Sequence, residues 1–142
     1  MRRSLPNRPP DMERNVLVDS SYFIGCMRRR IDPFRELERS RFEYEFYSCG
    51  VVMAEVCRGV RLRRLYTQMR SAFAVMCWVP TTEKIWSEAT DLARGLAARG
   101  VTMQLTDLVI AASAMSADAA VLTFDSDFRH VPELRVLDKL ED

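Results

Sequence analysis

The sequence predicts an α/β domain, a central and mostly parallel β-sheet flanked by helices. Two observations carry that prediction. Short apolar runs of strand length alternate with longer stretches whose apolar residues recur at helical spacing, as in a parallel sheet with helical crossovers. Two of those runs, residues 15–18 and 119–124, lead directly into an aspartate, Asp19 and Asp125, at the strand ends where such sheets open their ligand crevice.

The elements follow in order. Residues 15–18 form a short apolar strand. Residues 20–30 form a helix, and 33–41 a second, more polar one opened by Pro33. Residues 44–49 are a strand rich in aromatics. Residues 51–61 and 63–74 are helical, and 75–79 is a brief strand ended by Pro80. Thr81 or Thr82 caps the clearest helix of the chain, with Glu83 favourable near its positive end. There Ile85, Ala89, Leu92, Ala93, Leu96 and Ala97 make one apolar stripe, and Gly100 stops the helix. Residues 105–117 form a helix that is apolar nearly all round and therefore buried, with the small Ala111 and Ala114 leaving a face open. Residues 119–124 and 134–137 are the last strands.

A chain of 142 residues is one domain, long enough to enclose a core. Residues 1–14 carry three of the six prolines and read as a disordered leader, which leaves 15–142 as the domain. No apolar run reaches the roughly 18–20 residues of a membrane span, and no signal-peptide pattern precedes the first strand. Cys26, Cys49, Cys57 and Cys77 show no CxxC spacing and read as reduced, buried thiols of a cytoplasmic protein.

Four acids stand alone. Asp19 is the only charge between Arg14 and Arg28, Glu55 the only one between Glu45 and Arg58, and Asp107 the only one between Arg99 and Asp118. Asp125 closes an apolar run, with Asp127 two residues on. An acid set singly into an apolar segment is costly to bury without a partner. Several such acids on different segments point to one shared partner, a divalent cation, and hence to a metal-dependent hydrolase, a nuclease above all. Each acid also has a plainer reading. Asp19 and Asp125 fit as caps, Asp107 as a first-turn partner of the helix dipole, and Glu55 as a solvent-facing residue of an amphipathic helix.

The segments that carry these acids resemble the PIN-domain ribonucleases, in particular the VapC-type toxins of the VapBC toxin–antitoxin modules. Asn15-Val16-Leu17-Val18-Asp19-Ser20-Ser21 is similar to the family's opening strand with its first acid. Ala54-Glu55 is similar to the helix-borne second acid. Thr106-Asp107-Leu108-Val109-Ile110-Ala111-Ala112 resembles the D-x-x-I-A-A segment, and Leu122-Thr123-Phe124-Asp125-Ser126-Asp127-Phe128 the T-x-D-x-D-F ending. The likeness spans about residues 15–140. It departs at Cys49-Gly50-Val51-Val52, near where the family usually has a Ser or Thr. It implies a PIN-like fold and Mg²⁺-dependent endonucleolytic hydrolysis of RNA, with Mn²⁺ able to substitute. It implies Asp19 and Asp107 as metal ligands, Glu55 and Asp125 as completing the pocket, Asp127 as a candidate fifth acid and Ser20 as a hydrogen-bonding neighbour. It also implies a cognate VapB-like antitoxin and a homodimer, with the helices of residues 51–76 as its candidate interface.

From Val56 to Thr82 there is no acid, while Arg58, Arg61, Arg63, Arg64 and Arg70 are present, and Arg28-Arg29-Arg30 form a second cluster. Arginine suits phosphate through its bidentate fork, so Arg58, Arg61 and Arg64 are candidates for contact with RNA or an acidic antitoxin, against the plainer reading of a solvated face. Other chemistries fit poorly. Only 15 residues follow Asp127, too few for the remaining motifs of a D-x-D phosphatase. His130, the single histidine, reads as structural or surface. No Gly-flanked nucleophilic serine and no phosphate-cradling glycine loop is present. Trp78, Trp86 and the methionines read as core. Two alternatives to the toxin remain: a housekeeping RNA-processing nuclease of the same fold, and a non-catalytic repressor subunit that acts through its partner.

Overall fold

The computed structural model describes residues 14–141; the expected leader, up to residue 13, lies outside them. Five parallel strands form one sheet: β1 (Asn15–Val18), β2 (Glu45–Cys49), β3 (Cys77–Val79), β4 (Ala120–Leu122) and β5 (Val136–Leu137). Their order is β3-β2-β1-β4-β5. The helices are α1 (Ser20–Arg28), α2 (Pro33–Arg39), α3 (Gly50–Arg58), α4 (Arg63–Ala74), α5 (Glu83–Ala98) and α6 (Leu105–Ser116), and a 3₁₀ turn spans Ser126–His130.

The strand order decides where a ligand can sit. The chain steps outward from β1 to β2 and β3 on one side, then resumes at β4 on the other side of β1. The crossovers therefore diverge between β1 and β4, and a crevice opens beyond the carboxyl ends of those two strands. Val16, Leu17 and Val18 of β1 and Ala120, Val121 and Leu122 of β4 are fully buried, as befits strands covered on both faces. Leu108 to Ala114 of α6 are buried too, so the apolar helix lies inside, and α5 packs along it.

Several boundaries differ from the sequence reading, each for a local reason. Helix α1 ends at Arg28 rather than 30 because Ile31 N–H turns back to the Cys26 carbonyl and Arg30 N–H to Met27, with Arg30 at φ 59°. That is a Schellman stop without glycine. Helix α5 closes the same way through Gly100 at φ 76°, as expected. Helix α2 ends at Arg39 rather than 41, where Ser40 caps it, and α3 runs from Gly50 only to Arg58 because Gly59 and Val60 turn back onto Cys57. Tyr44 N–H bonds to Ser40, so β2 starts at Glu45. Val75 and Met76, read as strand, finish α4 instead, with N–H groups bonded to Ala72 and Phe73. Strand β4 stops at Leu122 because the N–H of Phe124 goes to a side chain, Ser21 Oγ. Strand β5 is only two residues long, and a 3₁₀ turn headed by Asp125 stands in the segment between β4 and β5.

Some side chains also lie elsewhere than expected. Ala111 and Ala114 are fully buried and leave no face open. Trp78 and Trp86 are about half exposed, 45% and 47%, so neither is core; of the methionines, Met69 and Met103 are buried. Cys26, Cys49 and Cys57 are buried free thiols, whereas Cys77 is half-buried. His130 lies at the surface, its backbone carbonyl accepting from Arg99.

Candidate active site

Asp19 follows β1 directly and is buried at the start of α1. One of its oxygens, Oδ2, accepts from Ser21 Oγ at 2.7 Å, Thr123 Oγ1 at 2.9 Å and Ser21 N–H at 3.3 Å. The other, Oδ1, lies 3.4 Å from Ser20 Oγ, which is also 3.3 Å from Glu55 Oε1. A serine hydroxyl has one proton to give, so Ser20 links Asp19 to Glu55 as a shared donor. The bonds of Ser21 and Thr123 run the other way as well. Ser21 Oγ accepts from Phe124 N–H at 3.0 Å, and Thr123 Oγ1 from Asp125 N–H at 2.9 Å. Each hydroxyl thus accepts a hydrogen bond from a backbone N–H of the loop after β4 and donates one to Asp19. The end of β1 and the loop after β4 are held as one unit.

The cap reading of Asp19 and Asp125 holds, and it leaves the other reading open to both. Asp19 accepts from the N–H of Ser21 as a helix cap, and Asp125 accepts from Asp127 N–H at 2.9 Å at the head of the 3₁₀ turn. Each carboxylate keeps a second oxygen for other work. Glu55 is half-buried in the second turn of α3, and Asp107 half-buried in the first turn of α6.

These four acids line one pocket of about 760 Å³, together with Ser20, Ser21, Arg28, Arg29 and Phe124. Asp107 senses the others. Its carboxyl is pushed up to about 7, first by burial and then by the negative charges of Asp19, Asp125, Glu55 and Asp127. The pocket opens where the strand order reverses, as the topology requires.

Among the described residues, no three Asp, Glu, His or Cys side chains stand close enough together, as placed, to hold one ion. The donor set nonetheless suits a hard divalent cation, since it is all carboxylate and hydroxyl oxygen. The carboxylates would have to draw closer to share one, and the repulsion felt by Asp107 is the cost such an ion removes.

The remaining candidates are placed apart. Asp127 is exposed in the 3₁₀ turn and outside the pocket lining. Arg58, Arg61 and Arg64 are exposed on and between α3 and α4, and none lines the pocket. The arginines that do are Arg28 and Arg29 at the end of α1. Ser21 and Thr123, hydroxyl residues without a role of their own in the sequence pattern, are the ones that bond Asp19 Oδ2. A second, largely apolar cavity of about 430 Å³ lies between α5 and α6, away from the acids.

Comparison with known proteins is consistent along the whole domain. The PIN domain family matches residues 16–134. Ribonuclease VapC4 of Mycobacterium tuberculosis (strain ATCC 25618 / H37Rv) is 30% identical over 134 residues, covering 87% of this chain and 96% of that protein. Among solved structures, VapBC2 from Rickettsia felis bound to a DNA fragment from its promoter superposes with a TM-score of 0.72 at 17% identity, over 86% of this chain and 96% of the other. VapBC-5 from Mycobacterium tuberculosis, a member of the VapBC family of toxin–antitoxin systems, gives 0.61 at 21% identity, over 87% and 98%.

Proposed function

The chain belongs to the PIN-domain family, and from that premise we propose that it is a divalent-metal-dependent endoribonuclease of the VapC type, the toxin half of a toxin–antitoxin module. One observation carries the reading: Asp19, Glu55, Asp107 and Asp125, from four segments of the chain, line one pocket with Arg28 and Arg29. The 30% identity to ribonuclease VapC4 supports it.

In this reading Asp19, Glu55, Asp107 and Asp125 hold Mg²⁺, or Mn²⁺ in its place. A cation there supplies charge neutralisation at the phosphodiester and activation of the attacking water. The chain's own residues do the rest. Ser21 and Thr123 fix the plane of the Asp19 carboxylate, so that the other acids would close on a cation around a ligand already oriented. Ser20 keeps Glu55 in register with Asp19. Arg28 and Arg29 draw the polyanion to the mouth and orient its phosphates. Asp127, at the surface, adds negative potential rather than a ligand.

The basic residues of α3 and α4 are assigned to a protein partner. Arg58, Arg61 and Arg64 stand away from the pocket, and Leu62 at the cap of α4 and Leu65 and Tyr66 in its first turn are exposed. A surface both basic and apolar suits an acidic amphipathic segment, such as that of a VapB-like antitoxin, or a second copy of this chain. The antitoxin reading is supported by the relatives solved as VapBC assemblies.

The test is cleavage of a total-RNA pool by purified, antitoxin-free protein with Mg²⁺, with Mn²⁺ and with EDTA. Cuts that require metal support the reading. A folded protein that binds an antitoxin tightly yet cuts nothing with either metal would replace it with the non-catalytic repressor subunit. Metal-dependent trimming of precursor RNA by a chain encoded without an antitoxin would replace the toxin with a processing enzyme.

A further inference from the structure

Phe124 stands at the mouth of the acidic pocket, one residue before Asp125, and the residue is 40% exposed. An exposed aromatic ring gains little from the fold, yet three features hold this one in place. The first is Gly25, inside α1, where alanine would favour the helix by about 1 kcal/mol. A Cβ at Gly25 would come within 2.6 Å of Phe124 Cδ2 and 2.7 Å of Cε2, so glycine lets the ring lie against the helix. The second is the Tyr22 ring, whose centroid is 5.2 Å from that of Phe124 at an interplanar angle of 33°. The third is Arg29, whose guanidinium carbon lies over the ring, 4.9 Å from its centroid. The Phe124 N–H bonds to Ser21 Oγ, which itself bonds to Asp19. The ring is therefore fixed relative to the acids, by a backbone bond on one side and a helix on the other.

We propose that Phe124 is a base-stacking platform for single-stranded RNA. An unpaired base takes the face of the ring that Arg29 covers, and the displaced guanidinium takes the adjoining phosphate. That sets the scissile bond over Asp19 and Asp107. The inference rests on the ribonuclease reading and narrows it to unpaired RNA, because a base held in a duplex has no free face to offer a side chain. Trp78 and Trp86 are exposed as well, but neither lines the pocket. Arginine beside an aromatic ring is a pairing that single-strand binding uses for base and phosphate together.

The experiment compares wild type, Phe124→Leu, Phe124→Tyr and Gly25→Ala on a short single-stranded oligoribonucleotide carrying 2-aminopurine, drawn from an RNA the wild type cuts, and on its paired duplex. Stacking predicts quenched fluorescence on binding to the wild type and to Phe124→Tyr, and no quenching with Phe124→Leu or Gly25→Ala. It predicts a KM for the single strand raised roughly 10- to 100-fold in those last two, with a smaller change in kcat. The duplex should be a poor substrate for all four proteins. Leucine keeps the apolar bulk of the side chain, so Phe124→Leu should keep the wild-type fold, as circular dichroism would show. Equal quenching and equal KM in wild type and Phe124→Leu would overturn the platform while leaving the nuclease intact. A wild type that neither cuts nor binds any RNA would overturn the nuclease and the platform together.

Discussion

Thr123 and Asp19 are 104 residues apart in the chain, and the hydroxyl of one donates to Oδ2 of the other at 2.9 Å. The bond is possible because β1 and β4 are parallel neighbours in register, with Val18 opposite Leu122, so that the next residue of each strand meets at the shared carboxyl end. Thr123 Oγ1 also accepts from Asp125 N–H. One threonine therefore sets the position of two acids of the proposed centre.

Replacing Thr123 by valine keeps its shape and removes both bonds, along with the 3.0 Å contact of its hydroxyl with Ser21 Oγ. A hydrogen bond to a carboxylate is worth about 1.5–3 kcal/mol, so Thr123→Val should cut RNA roughly 10- to 100-fold more slowly, mainly through kcat, while Thr123→Ser keeps most of the rate. Steady-state kinetics on one oligonucleotide decide it. A valine variant with wild-type kcat would remove Thr123 from the positioning of Asp19.

The raised pKa of Asp107 predicts a pH dependence in metal-free protein. Its folded value of about 7 lies above the ordinary 3.8, so the folded state holds the proton more tightly than the unfolded one. Stability is full below the lower value and declines as pH rises through the window between 3.8 and about 7. In EDTA the melting temperature should fall by several degrees across that window. Asp107→Asn should flatten the fall and melt higher than the wild type at pH 8. Melting curves in EDTA measure both. A wild-type Tm that does not fall across the window would contradict the repulsion assigned to the pocket.

Arg28 lines the pocket, whereas Arg61 and Arg64 do not. Losing one phosphate contact lowers the slope of log K against log salt by about 0.7 for a single strand. Arg28→Ala should weaken RNA binding several-fold and reduce the slope by that amount, while Arg61→Ala with Arg64→Ala should leave the slope unchanged. Fluorescence anisotropy at several salt concentrations separates the two surfaces. The reverse pattern would move the RNA path onto α4.

Arg30 adopts φ 59° at the stop of α1. A left-handed conformation costs an L-residue roughly 1–2 kcal/mol that glycine avoids. Arg30→Gly should therefore stabilise the protein by about 1 kcal/mol, and Gly100→Ala, at φ 76°, should destabilise it by a similar amount. Urea melts of both variants measure this.

The acids were legible in the sequence because a lone charge in an apolar segment stands out without knowledge of the fold. Asp19, Glu55, Asp107 and Asp125 all had that mark, and all four line the pocket. Their partners did not. Thr123 is an ordinary strand-end threonine until β4 is known to lie beside β1, and Ser21 is an ordinary first-turn serine. Phe124 read as the last residue of a strand, since nothing in the local sequence shows that its N–H leaves the sheet for Ser21. The arginine run at 58–64 is the more conspicuous in the sequence because it is longer, yet Arg28 and Arg29 are the ones that line the pocket. Proximity to the acids comes from the end of α1, and length of a run says nothing about that. The stop of α1 was missed for a related reason. Its Schellman geometry is normally signalled by glycine, and here the position belongs to Arg30.

The central claim is that four acids from separate segments share one divalent cation. Isothermal titration of Mn²⁺ into the wild type, Asp19→Asn and Asp107→Asn, each checked for an unchanged fold by circular dichroism, tests it most directly. The account predicts saturable binding by the wild type and at least tenfold weaker binding by both variants, although their changes lie on different elements. No saturable binding by the wild type, or equal affinity in all three proteins, would contradict it and return the four acids to separate duties as caps and surface charges.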